Sequence, residues 1–230
     1  VQICNVPDYG MNEVADHAIA LMLSVTRKIV IMNDYTKNVR WDYIKSAPIH
    51  RNSTLTVGVV GLGRIGRNFA KKANALDCKI IGYDPYYTPN KEDGTDYIGS
   101  VSIEELIERS DVISIHCPLE GAENLFDESA FKRMKKTAFI INVARGGIIN
   151  EEALDKALED GEIAGAALDC VEYEPMNPSS KLFRHENFII TPHMAWYSEE
   201  AEAELKRKVA EEACRFNQGQ PLKYRVNKLN

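Results

Sequence analysis

Four side chains in this sequence could act together on a small anionic molecule: Arg145, Asp169, Glu174 and His193. Arginine offers a planar, permanently charged fork that holds a carboxylate through two parallel hydrogen bonds. Histidine, with a reference pKa of about 6.5, gives or takes a proton near neutral pH, and a nearby carboxylate favours its charged form. Arg145 is therefore the candidate for binding a substrate carboxylate, His193 for acid/base work and Glu174 for its partner. Taken singly, such residues are most often solvated charges or structural histidines. Their positions argue for more. Arg145 follows AFIINVA, Asp169 closes AGAALD and His193 follows NFIITP, so each stands just beyond a short apolar run. In an open parallel sheet, ligands bind outside the carboxyl ends of the strands, where these three positions are predicted to converge.

A second constellation would bind a dinucleotide. VGVVGLGRIGRNFA, residues 57–70, sets Gly61, Gly63 and Gly66 in GxGxxG spacing between a strand and a helix. The first glycine permits the tight turn, the second lets backbone approach a pyrophosphate, and the third allows close helix packing. The helix N-terminus adds N–H groups and a positive dipole. The spacing alone fits a glycine turn without a ligand about as well. Asp84 shifts the balance, because it ends KIIGYD eighteen positions beyond Gly66, where a carboxylate can accept hydrogen bonds from the adenosine ribose. The same charge would repel a 2′-phosphate, so the expected cofactor is NAD rather than NADP. His17, His50 and His185 read as structural, and His116, at a strand end beside the cofactor edge, is a candidate for a supporting role. Cys117 has no identifiable activating partner and is assigned to packing against the cofactor.

These residues need a scaffold that brings distant strand ends together. TVGVV, KIIGY, DVISIH, AFIINV, AGAALD and NFIIT are separated by segments that mostly have helical spacing, which predicts βαβ units and a doubly wound, parallel α/β sheet. Residues 12–31 carry apolar side chains on two faces and predict one helix buried on both sides. Residues 45–54 read as a loop. VQICNV alternates like a strand from the first residue. Residues 198–216 place Leu205, Val209, Ala213 and Phe216 on one stripe of a helix that needs a partner surface.

A net charge of −6 offers no field that would gather nucleic acid or an anionic membrane. The five cysteines are scattered and lack a CxxC pair, which fits reduced thiols in the cytoplasm better than disulfides or a metal site. No apolar stretch has the length of a membrane span, and no leader pattern opens the sequence.

GLGRIG with Asp84, NVARGG at 142–147, AALDCVEYEP at 166–175 and TPHMAWYS at 191–198 together resemble the D-isomer-specific 2-hydroxyacid dehydrogenases in order and spacing, over nearly the whole chain. The TPHMAWYSE segment and the VNK near the terminus are most similar to the C-terminal-binding-protein branch and its enzyme relatives. The resemblance implies hydride transfer between NAD and a D-2-hydroxy or 2-oxo acid, with Arg145 on the substrate carboxylate, His193 as acid/base, Glu174 as its partner and Asp169 near the nicotinamide. It also implies cofactor contacts from Val14, Arg64, Ile65, Cys117, Pro118, Ala144 and Ala195, with Trp196 near the substrate.

Two rival functions follow from the same resemblance. Formate dehydrogenases share the architecture but pair their histidine with glutamine, which Glu174 argues against. An NAD-sensing dimeric scaffold, of the corepressor kind, would bind NADH without turnover. The resemblance further implies a homodimer and a division into residues 1–11, a remnant of a substrate domain; 12–192, the NAD-binding domain; and 193–230, hinge and C-terminal helix of the substrate domain. On that reading the chain is expected to lack an N-terminal segment of roughly a hundred residues, a typical small-domain size, and to catalyse weakly or not at all.

Overall fold

Runs of Val and Ile become strands here because both faces of the sheet are covered, so every side chain in a central strand can be buried. The computed structural model describes residues 1–227; Lys228, the last residue of the VNK segment, lies outside them. In chain order the elements are α1 (Met11–Thr26), α2 (Ile29–Lys37), β1 (Thr56–Val60), α3 (Arg64–Ala75), β2 (Lys79–Tyr83), β3 (Gly99–Ser100) and α4 (Ile103–Arg109). They continue with β4 (Val112–Ile115), α5 (Glu128–Arg133), β5 (Phe139–Asn142), α6 (Glu151–Glu159), β6 (Gly165–Leu168), β7 (Phe188–Ile190) and α7 (Glu199–Asn217). Among the described residues seven strands form one sheet in the order β3-β2-β1-β4-β5-β6-β7, and every pairing is parallel. The six apolar runs of the sequence supply six of these strands. The two-residue β3 was not among them, being too short to show a period.

Alternation along the strands divides the core into two layers. Val57, Val59, Ile80, Val112, Ile141 and Ala167 pack with Ala15, Ala18, Met22 and Phe69, under α1 and α3. Val60, Ile81, Ile113, Ile140 and Ala166 pack with Leu106, Phe131 and Leu154, under α4, α5 and α6. The strand order reverses between β1 and β4, and the crevice beyond the carboxyl ends at that point is where such sheets bind ligands.

Three expectations need correction. The single helix over residues 12–31 breaks after Thr26, where Lys28 takes a left-handed conformation (φ 53) and a second helix begins. One apolar face is buried through Ala15, Ala18, Met22 and Val25, while Ile29 and Val30 beyond the break are exposed. The strand at residues 1–5 reduces to a single antiparallel bridge, Cys4 to Arg225, because the segment at Tyr224–Val226 is its one pairing partner among the described residues. The loop at 45–54 contains two short 3₁₀ turns, over Tyr43–Ser46 and Asn52–Thr54. In α7 the apolar stripe points outward: Leu205 is half-buried, Val209 and Phe216 are exposed, and the buried positions are Ala201, Lys208 and Glu212. Lys208 there pairs with Asp8 at 2.7 Å, and Glu212 accepts the N–H groups of Lys223 and Tyr224, which ties both chain ends to this helix.

Candidate active site

The glycine turn between β1 and α3 shows three different demands on the backbone. Gly61 has φ +90, and a Cβ there would stand 2.7 Å from the Cys117 nitrogen. A Cβ on Gly66 would meet the Gly61 carbonyl oxygen at 1.9 Å. Gly63 is crowded by nothing within 4 Å, so a larger side chain there would occupy open space rather than protein. The first turn of α3 has no side-chain cap and no acidic residue, whereas α4, α5, α6 and α7 each have both. Free N–H groups and an uncompensated positive helix end beside open space fit a pyrophosphate. Across the turn, Asp84 accepts the Leu62 N–H at 2.7 Å and the Tyr86 N–H at 2.8 Å. These bonds fix the carboxylate at the end of β2. Arg64 sends its guanidinium to the Pro7 carbonyl at 2.9 Å, leaving its backbone at the helix start as the part near the cradle.

Val14, Ile65, Cys117, Pro118, Ala144 and Ala195 line one cleft of about 700 Å³ beyond the strand ends. Arg145, Asp169, His193 and Trp196 line the same cleft. Gly61, Gly63, Arg64, Gly66 and Asp84 are not part of that lining and stand at the β1–α3 turn and the end of β2. Glu174 sits behind His193, in a neighbouring apolar hollow of about 380 Å³ that shares Asp169 and His193 with the cleft.

Local structure delivers each of these groups. After β5, buried Asn142 accepts the Ala144 N–H and donates to the Arg145 carbonyl, shaping the loop that carries exposed Arg145. Gly146 presses on the next loop so closely that a Cβ would meet the Val171 oxygen at 1.9 Å, which sets the Arg145 loop against the segment bearing Glu174. His193 Nδ1 lies 2.7 Å from Glu174 Oε2. Because an ionised carboxylate can only accept, Nδ1 donates, and Nε2 is the nitrogen left for proton transfer. His193 has φ 51, a left-handed conformation that costs a non-glycine residue about 1–2 kcal/mol. Three consecutive N–H groups offset that cost by converging on Asp169: His193 on its carbonyl at 2.8 Å, Met194 on Oδ1 at 2.9 Å and Ala195 on Oδ2 at 2.8 Å.

Three side chains not predicted for the site join it. Thr191 donates to Asp169 Oδ1 at 2.6 Å. His17, read from sequence as structural, reaches from α1 to Thr191 Oγ1 at 3.0 Å. The DH pair at 16–17 carried no periodic signal, and only the fold shows that α1 passes this strand end. Tyr9 lines the cleft as well, edge-on to Trp196 at 5.8 Å.

Partial burial pushes the Glu174 carboxyl up, but the bonds from His193 and the Val171 N–H, with the charges of His193 and Arg145, prevail and hold it below the usual carboxylate range. Burial pushes the Cys117 thiol up to about 11, so it is no thiolate nucleophile near neutral pH. Burial also takes His116 down to about 3. Its ring packs on Phe69 with Nε2 2.9 Å from Ser114 Oγ, and Nδ1 is buried without a hydrogen-bond partner. Among the described residues no helix is long and apolar enough to cross a membrane, and no cluster of His, Cys, Asp or Glu could hold a metal.

Residues 19–195 match the family described as D-isomer specific 2-hydroxyacid dehydrogenase, NAD binding domain. The chain belongs to this family. It is 34% identical over 228 residues to a D-3-phosphoglycerate dehydrogenase of Archaeoglobus fulgidus, covering 99% of this chain and 43% of the relative. A glyoxylate reductase of Thermofilum pendens is 37% identical over 221 residues, covering 94% of this chain and 63% of the relative. The chain thus spans about half the length of these curated relatives. In structure it is similar to a D-lactate dehydrogenase with NAD+ from Lactobacillus jensenii, with a TM-score of 0.89 at 26% identity, over 99% of this chain and 72% of that one. The matched residues include the turn at Gly61–Gly66.

Proposed function

We propose that the protein is an NAD-dependent D-2-hydroxyacid dehydrogenase interconverting a small 2-oxo acid and its D-2-hydroxy acid. The observation that carries this reading is the His193–Glu174 pair, at 2.7 Å, on the cleft that also receives Arg145. Bound at the glycine turn, NADH supplies the hydride for C2 of the 2-oxo acid. Arg145 holds the substrate carboxylate through its fork. His193 Nε2 donates the proton to the substrate oxygen, and Glu174 orients the ring and stabilises its charged form. Asp169 fixes the turn that carries His193. Asp84 accepts from the ribose hydroxyls and disfavours a 2′-phosphate.

Three broader readings belong with this one. A homodimer is supported by apolar side chains in the open, in the segment after α2: Val39 at 96%, Trp41 at 93% and Tyr43 at 84% exposure. The division at 1–11, 12–192 and 193–230 is supported by the pairing of the first residues with the segment after α7. Five free cysteines support a reducing, cytoplasmic setting.

The test is NADH and NADPH titration followed by NADH consumption with a panel of 2-oxo acids. Tighter binding of NADH and measurable consumption are expected. Equal affinity for the two cofactors would remove the role given to Asp84, and NADH binding with no consumption by any acid would favour the scaffold.

A further inference from the structure

We propose that His17 is a positioning residue for His193, acting through Thr191 and Asp169. This rests on the reading of His193 as the acid/base. Hydrogen-bond bookkeeping fixes the direction of the relay. Asp169 is almost fully buried, and as a carboxylate it can only accept. The Thr191 hydroxyl, 2.6 Å from Asp169 Oδ1, therefore spends its hydrogen on that oxygen. Its lone pair is what faces His17 Nε2 at 3.0 Å, so Nε2 carries the hydrogen and donates. The same Nε2 lies 3.6 Å from Asp169 Oδ1, close enough to support the carboxylate directly.

A buried carboxylate must have its oxygens satisfied to hold one geometry. Asp169 spends its acceptors on the backbone turn at residues 193–195 and on Thr191. That turn holds His193 in a left-handed conformation (φ 51), which relaxes if its anchor loosens. Thr191 and Asp169 belong to separate strand ends, β7 and β6, and His17 adds a third element, α1, to the same knot. The consequence is that α1, which also packs on α2, α3 and the sheet and accepts a hydrogen bond from Ser198 at Glu13, helps to set the turn from which the imidazole of His193 projects.

Proton–nitrogen NMR spectra of the histidine rings in the 230-residue chain test this without requiring turnover. In the unmodified chain His17 is expected as the Nε2–H tautomer. His17→Leu and Thr191→Val, which break the relay at different links, should both shift the His193 ring signals. The His185 signals, held by Asp155 elsewhere, should stay in place. His17→Gln, whose amide nitrogen falls near the former Nε2, should restore the His193 signals. Unchanged His193 signals in either broken variant, failure of His17→Gln to restore them, or equal displacement of His185 would overturn the proposal. Failure of the dehydrogenase reading would show separately, as 2-oxo acid reduction surviving His193→Ala.

Discussion

At the scale of single residues, the arrangement around His193 separates two tasks that one side chain could not perform. Asp169 fixes the backbone of the turn, and Glu174 fixes the ring and its charge. The Glu174 carboxyl is held below its usual range by His193, the Val171 N–H and Arg145, against the opposing effect of burial, so it is ionised through the whole neutral region. In the proposed reduction the imidazole delivers the proton and this carboxylate orients it. Glu174→Gln, which keeps an acceptor for Nδ1 but removes the charge, should therefore lower the rate of 2-oxo acid reduction by up to about 10²-fold without changing NADH affinity. An unchanged rate would show that the pair does not act together. These residues could be read from sequence because their motifs are local: NVARGG, the AALDCVEYEP segment and TPH each carry their own chemistry. His17 and Thr191 could not be read that way, because their meaning comes from contact across 174 positions.

At the scale of elements, the β1–α3 turn makes a distinction the GxGxxG pattern alone does not. Gly66 is required by protein packing, with a Cβ meeting backbone at 1.9 Å, whereas Gly63 faces open space. Gly63→Val should leave the fold intact and weaken NADH binding by at least about tenfold, equivalent to about 1.4 kcal/mol. Gly66→Val should instead lower the unfolding midpoint, since the Gly61 carbonyl cannot move without opening the turn. Fluorescence titration with NADH and thermal unfolding of both variants separate the two. Weakened folding in Gly63→Val with normal binding per folded molecule would reverse the assignment. Short runs rich in Val and Ile were enough to place six strands, because burial on both faces leaves a near-continuous apolar signal. Periodicity was less informative for helices. It joined α1 to α2 because apolar spacing continues past Lys28, although the backbone there turns left-handed. In α7 it found the stripe, while the opposite, buried side could not be read from spacing, because Lys208 is buried by pairing with Asp8, 200 positions away, and Glu212 by accepting from Lys223 and Tyr224.

At the scale of the whole molecule, the exposed aromatic and aliphatic side chains at Val39, Trp41 and Tyr43 stand apart from the cleft and give the chain a surface suited to a second copy. Light scattering at micromolar concentration should give about twice the chain mass of 25.9 kDa, and Trp41→Glu should return the protein toward the monomer. A mass near 25.9 kDa for the unmodified chain would contradict the dimer while leaving the cleft unaffected. If this cleft joins an NAD site to an acid/base pair, His193→Ala must abolish one function and spare the other. The decisive comparison is of the unmodified protein with His193→Ala for NADH affinity and for NADH-dependent formation of the 2-hydroxy acid, with the product resolved by chiral chromatography. Expected are the D-isomer from the unmodified protein, a rate about 10²-fold to 10⁴-fold lower in His193→Ala, and unchanged NADH affinity. Reduction that survives His193→Ala, or an L-isomer product, would contradict this reading.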